Sequence, residues 1–297
     1  MYTPTLRLIT DVEQEVCIFI DFLNHPKFPQ QKGNILRFFP ALQEKLEAPE
    51  RVDTDTEVVR SFLKEYYQSN KKIIEPILSD IENNLREHGA QVLATLATLM
   101  DYEWSPTFVE YKIIPTILPF SPFRDNTIFF SMARKIGANK NNEEDRNHDI
   151  LPLVAHEVSH MLLRDILCKN HGTQLDKVYS WTTLHFLQEL FAPTLMNQPE
   201  LKELLGIQNY SGNPYLKPIM ISYGDSTDNL VSYFSNIFQE ERVIKGKSFT
   251  ETALLIAALI KKIDPLLDVR LKLWNSAGHL LFKDTDKIKE YTTPIII

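Results

Sequence analysis

Apolar residues recur at helical spacing through most of the chain. A short strand is predicted at Leu6 to Ile9. Asp11 then opens a helix to about Leu23, with Val12, Val16, Phe19 and Leu23 on one face and His25-Pro26 as its stop. A second helical stretch carries Leu36, Phe39, Leu42 and Leu46 and is interrupted by Pro40. Residues 54–68 are helical again, and 73–100 form a long periodic run with Gly89 as a candidate break. Near Trp104-Ser105-Pro106 the pattern changes. FVEYKIIPTIL (108–118) and TIFFSM (127–132) are rich in β-branched and aromatic residues, which predicts two strands. After a polar loop, 137–149, come a strongly apolar helix at 151–167, a second at 177–197 that Pro193 should kink or weaken, and a Pro/Gly/Tyr-rich loop at 206–218. Helices follow at 227–242 and 249–263. VRLKLW (269–274) and GHLLF (278–282) read as a small hairpin. The expectation is an α+β, mostly helical fold, with a helical region at 1–105 followed by a domain at 106–297.

The helix at 151–167, LPLVAHEVSHMLLRDIL, is apolar on nearly every face except one stripe. Pro152 fits its first turn, with Asn147 or Asp149 as cap. A helix of that kind is buried, yet its stripe is His156, Glu157 and His160, the pattern H-E-x-x-H. Residues four apart lie about 40° apart in projection and one turn apart along the axis, so both imidazoles reach one metal ion. Glu157, about 100° from His156, stands beside that ion as a general base for a water. Three buried polar groups without a partner are costly, and a metal supplies one.

A catalytic zinc takes three protein ligands and keeps one position for water. The extended pattern with Gly and His at 163 and 166 is excluded by Leu163 and Ile166, and Asp165 points away from the stripe. Glu189, flanked by Phe186, Leu187, Leu190 and Phe191, is an acid in an apolar setting that calls for a cation. His185, one turn earlier, is the other candidate. An oxyanion needs a further donor, commonly Tyr or His. Tyr210, Tyr215, Tyr223 and Tyr233 all lie downstream, and Tyr223 in ISYGD is the first choice because apolar residues deliver it to a turn.

With these residues the chain resembles the gluzincin zinc metallopeptidases, in which H-E-x-x-H on one helix is completed by a Glu from a following helix. The resemblance covers roughly 106–200. It implies one Zn2+ per chain held by His156, His160 and Glu189, with Glu157 as general base and acid. It also implies a zincin-like fold in which a small sheet beside the motif helix receives an extended polypeptide along an edge strand. Two features depart from the pattern: 28 residues separate His160 from Glu189, and Pro193 stands where the thermolysin-like branch has a supporting Asp. The expected substrate groove lies between 106–135 and the helices after 200, used as an endopeptidase. The alternative is a non-catalytic zincin-fold scaffold with a structural metal, for which His148, His171 or His185 would supply a fourth protein ligand.

Composition adds exclusions. A formal net charge of −7 and scattered basic residues argue against a nucleic-acid partner. The N-terminus shows no signal peptide, and no apolar run is long enough to span a bilayer. Cys17 and Cys168 form no disulfide framework. The expectation is a soluble, cytoplasmic protein, with export by a signal-less route left open.

Overall fold

The computed structural model describes residues 2–26, 28–49, 52–137, 149–171, 174–277 and 283–297. The described residues are mostly helical with two small sheets, and so of α+β class. It forms two compact units that are not consecutive in sequence. One comprises Pro4–Ala90 and Thr107–Asp145, the other Met1–Thr3, Gln91–Pro106 and Arg146–Ile297. This division differs from a boundary at 105/106, because the strands after 107 belong with the N-terminal helices.

The first unit starts with β1 (Thr5–Leu8) and α1 (Val12–Leu23). Asp11 caps α1 by accepting from the N–H groups of Glu13 and Gln14. Next come α2 (Pro29–Phe38) and α3 (Pro40–Glu47), each with proline in its first turn, where the missing N–H costs nothing. In α4 (Asp55–Ser69), Thr54 and Glu57 close a capping box. The helix α5 (Lys71–Leu99) runs unbroken through Gly89, contrary to the expected break. A Cβ at 89 would lie 2.8 Å from Leu6 Cδ1, so this glycine serves the close approach of β1 and not a turn.

The strands β2 (Glu110–Thr116), β3 (Phe123–Arg124) and β4 (Thr127–Ser131) complete a sheet of order β1-β2-β4-β3, and α6 (Ala133–Gly137) follows. Strands β1, β2 and β4 are parallel, while β3 pairs antiparallel with β4 across a turn at Asp125, whose φ is 52°. Ile113, Ile114, Ile128, Phe129 and Phe130 are all buried, so the central strands read as continuous apolar runs.

Within this unit Glu15 is a buried carboxylate. It accepts from Tyr67 Oη (2.7 Å), Thr116 Oγ1 (2.8 Å) and the Ile117 N–H (2.8 Å), tying α1 and α4 to the end of β2. Burial pushes its pKa from 4.5 up to about 7, against the pull of the Ile117, Tyr67 and Thr116 donors. A raised folded-state value means that the stabilising contribution is fully present below 4.5 and is lost as pH rises through 7. Relative to Glu15→Gln, the wild type is therefore expected to lose about 3 kcal/mol of stability across that window. Urea unfolding of both proteins across the window checks this, and parallel stability–pH profiles would contradict it.

The second unit contains α7 (Ile150–His171), α8 (Leu175–Val178), α9 (Trp181–Met196) and α10 (Pro199–Leu205). A hairpin of β5 (Met220–Tyr223) and β6 (Ser226–Asn229) follows, then α11 (Leu230–Phe238), a π-helical turn at Gln239–Ile244, α12 (Phe249–Ala277), α13 (Thr285–Thr292) and β7 (Ile295–Ile296), which pairs with β5. The helix expected from 227 starts at Leu230 instead, because 226–229 pair with β5 and Asn229 caps α11 by accepting from Ser232 N–H. VRLKLW is helix and not hairpin. Ile256, Ile260, Ile263, Leu267 and Leu271 continue one buried face at spacings of three and four, and α12 carries on past Pro265. GHLLF lies outside the described residues, as do His148 and the loop residues 138–148. Among the described residues no helix is long and apolar enough to cross a membrane, and Cys17 and Cys168 are both free thiols.

Helix α9 is the centre of this unit, packing against α7, α11 and α12. Ser180 caps it by accepting from Thr183 N–H, and both hydroxyls donate to Asp264 of α12. It continues through Pro193 to Met196 despite the lost N–H. Every residue from Glu189 to Met196 is buried.

Candidate metal centre

The motif residues sit mid-helix on α7, which starts where Asp149 C=O accepts from Leu153 N–H and carries Pro152 in its first turn. Val154, Ala155, Val158, Leu162 and Leu163 are essentially inaccessible, which fixes the rotation of the helix about its axis. That packing also buries the polar stripe: His156, Glu157 and His160 are 7%, 7% and 4% exposed. One ligand atom from each lies within 4.8 Å of the others, and the two imidazole centroids are 4.4 Å apart.

Helix α9 adds the fourth group. Gln188 Nε2 donates to the His160 carbonyl at 3.3 Å, and one residue on, Glu189 places Oε2 3.8 Å from His156 Nε2. Atoms bound to one tetrahedral zinc at about 2.0–2.1 Å lie about 3.3 Å from each other. A closure of about half an ångström would bring the His156–Glu189 pair to that spacing, whereas the three donor atoms within 4.8 Å of one another are those of His156, Glu157 and His160. Glu189 Oε2 is buried and has no hydrogen-bond partner among the described residues, and Asn213, on the loop after α10, is close enough to pull the Glu189 pKa down slightly. An acceptor left so costs free energy unless a cation meets it.

Electrostatics at the site point the same way. Burial holds His156 down to about 4, and burial, then the neighbouring His156 and His185, holds His160 well below the usual imidazole value. Both rings are therefore neutral at neutral pH and carry the lone pair that ligation requires. Burial pushes Glu189 up to about 7, and burial together with the Glu189 charge raises Glu157 well above its ordinary value. Two carboxyls and two neutral imidazoles sharing an apolar pocket are a donor set that a divalent cation satisfies.

The other candidates make other contacts. The Nε2 atom of His185 is 2.7 Å from Tyr215 Oη, and its ring lies flat on Trp181 at 4.9 Å, so that nitrogen is already engaged. Tyr223 donates its hydroxyl to Asp228 of its own hairpin, packs on Tyr233, and lines a cavity with Phe234, Lys262 and Ile263 in which no motif residue takes part. The tyrosine at the site is Tyr210, whose hydroxyl is 3.0 Å from His156 Nδ1. Its ionisation is pushed up by burial and then by the charges of Glu157 and Glu189. Asp165 points away, as expected, and accepts from Tyr102 Oη at 2.6 Å. The side chain of His171, like all of His148, lies outside the described residues.

Sequence reasoning names Tyr210 among four downstream tyrosines but ranks Tyr223 first. The turn-rich run NYSGNPY at 209–215 marks a shaped loop without saying where it lands. No family model, no curated protein and no solved structure matches the chain.

Proposed function

We propose that the protein is a zinc-dependent peptide-bond hydrolase of the gluzincin type with a zincin-like fold, acting as an endopeptidase on polypeptides. The observation that carries this reading is the buried, unpartnered Glu189 Oε2 set 3.8 Å from the first histidine of H-E-x-x-H. His156, His160 and Glu189 would hold the ion. When bound, zinc supplies a Lewis acid that acidifies a water and polarises a carbonyl oxygen. Glu157, in the same cluster, is the carboxyl placed to take a proton from a water and to return it to the leaving amine. Its raised pKa suits that double duty, since burial makes the protonated form a low-cost state.

One observation favours a second reading, a non-catalytic scaffold with a structural metal: all four residues are buried. The two readings differ in coordination. Three protein ligands plus a water support hydrolysis, and four protein ligands support the scaffold.

Purified protein is expected to carry about one zinc per chain and to cleave a denatured proteome at internal sites, with chelation abolishing cleavage and zinc restoring it. Elemental analysis showing negligible zinc and no uptake on reconstitution would overturn the metal reading. Zinc binding without metal-dependent cleavage would overturn hydrolysis and leave the scaffold. Trimming from chain ends alone would overturn the endopeptidase assignment.

A further inference from the structure

The loop between α10 and β5 reaches the candidate centre through Tyr210, whose Oη meets His156 Nδ1, and beside the centre Tyr215 Oη meets His185 Nε2. Its backbone is held as firmly as its side chains. Asn197, at the end of α9, clasps Tyr210 with both halves of its amide: Tyr210 N–H donates to Oδ1 at 2.9 Å, and Nδ2 donates to the Tyr210 carbonyl at 2.8 Å. Gly212 has φ +66°, and a Cβ there would lie 3.1 Å from Pro193 Cγ, so the loop presses on the proline ring of α9. Tyr291 of α13 donates to the Tyr215 carbonyl at 2.6 Å.

A histidine that binds metal through one nitrogen ordinarily donates the N–H of the other to a carboxylate, a carbonyl or a water. Here the partner is a phenol. The difference matters because a carboxylate only accepts, whereas a hydroxyl both donates and accepts. His156 Nε2 faces Glu189 Oε2 at 3.8 Å. Without metal, a proton on Nε2 is drawn toward that oxygen by charge alone, since 3.8 Å is too long for a hydrogen bond, and this tautomer leaves Nδ1 as an acceptor for the Tyr210 O–H. With metal, Nε2 must offer its lone pair, the ring proton moves by way of solvent to Nδ1, and the Tyr210 hydroxyl rotates to accept it. The imidazole holds one proton throughout and Tyr210 keeps its own, so the exchange balances.

We infer that Tyr210 is a positioning residue through which His156 changes tautomer between the metal-free and metal-bound protein, and that the Asn197 clasp holds it in place to do so. A carboxylate at that position would keep the proton on Nδ1 in both states and set the Nε2 lone pair against Glu189 when no metal is bound. The hydroxyl satisfies His156 Nδ1 in the metal-free centre and still supports the ligand afterwards. This inference rests on the metal reading above.

The test uses the full chain with 15N-labelled histidine, zinc as the probe, and Tyr210→Phe and Asn197→Ala as variants. In the wild type the His156 nitrogen shifts are expected to report the Nε2–H tautomer without zinc and the Nδ1–H tautomer with it. Tyr210→Phe should mix the tautomers of the metal-free protein and lower zinc affinity, by chelator competition, about 10–100-fold. Asn197→Ala should shift both readouts the same way and less. If Tyr210→Phe does not fold, the wild-type tautomers and Asn197→Ala decide. A wild type that takes up no zinc overturns the metal reading. A wild type that binds zinc but keeps one His156 tautomer in both states overturns this inference alone, as does Tyr210→Phe binding zinc like the wild type.

Discussion

Glu157→Gln is expected to keep zinc and lose hydrolysis. Glutamine matches the shape of glutamate and cannot carry a proton between a water and a leaving amine, so the rate should fall by about 10²–10⁴-fold, the span that a positioned acid–base group supplies. Metal content should stay within about twofold if, as proposed, His156, His160 and Glu189 are the three ligands that a catalytic zinc requires. The fold should not suffer either. Burial and the Glu189 charge hold the Glu157 pKa well above its ordinary value, so its stabilising contribution is present at low pH and is lost as pH rises. A neutral amide avoids that loss, and the metal-free variant should melt no lower than the metal-free wild type. The informative failure is loss of zinc. The Glu157 carboxylate lies within 4.8 Å of both histidine nitrogens, and a variant that cannot hold the ion would make Glu157 a ligand and remove the base from the scheme.

What the sequence conveyed best was what local periodicity decides. Helix α7 was legible because its apolar positions leave one polar stripe, and the H-E-x-x-H residues do lie together on it, buried. The Asp11 cap and the break at His25-Pro26 set α1 to within a residue. Errors arose where one pattern served two periods. VRLKLW alternates like a strand, yet Leu267 and Leu271 also sit four apart, and burial of the helical face prevails. At Gly89 the ambiguity was of another kind, since a glycine signals a break or a close approach equally well and only tertiary structure shows Leu6 against it.

The tyrosines show the same limit inside the site. Apolar neighbours deliver Tyr223 to a turn, as expected, but the turn brings back Asp228 of the partner strand, whose carboxylate takes the hydroxyl. Tyr210 has no apolar pattern around it. It reaches His156 because Asn197, thirteen residues earlier, holds its backbone, and because Gly212, at φ +66°, turns the loop close against Pro193. Such placements depend on pairs of residues with no periodic relation, so no window of sequence contains them.

Glu189 and His185 were rivals for the third ligand, and substitution should separate them widely. Glu189→Ala removes the carboxylate whose Oε2 faces His156, and zinc affinity should drop by more than about 100-fold, beyond the cost of losing a supporting partner. The metal-free protein should be affected less. The substitution also removes a carboxylate that burial disfavours. His185→Phe keeps an aromatic ring between Trp181 and Tyr215 and loses only the 2.7 Å contact with the Tyr215 hydroxyl. Zinc affinity there should change by less than about tenfold, the lower bound for an outer partner. Chelator competition on both variants checks the pair of expectations. Retention of zinc by Glu189→Ala together with its loss from His185→Phe would reverse the assignment, require the His185 ring to leave Tyr215, and withdraw the argument built on the unpartnered Glu189 oxygen.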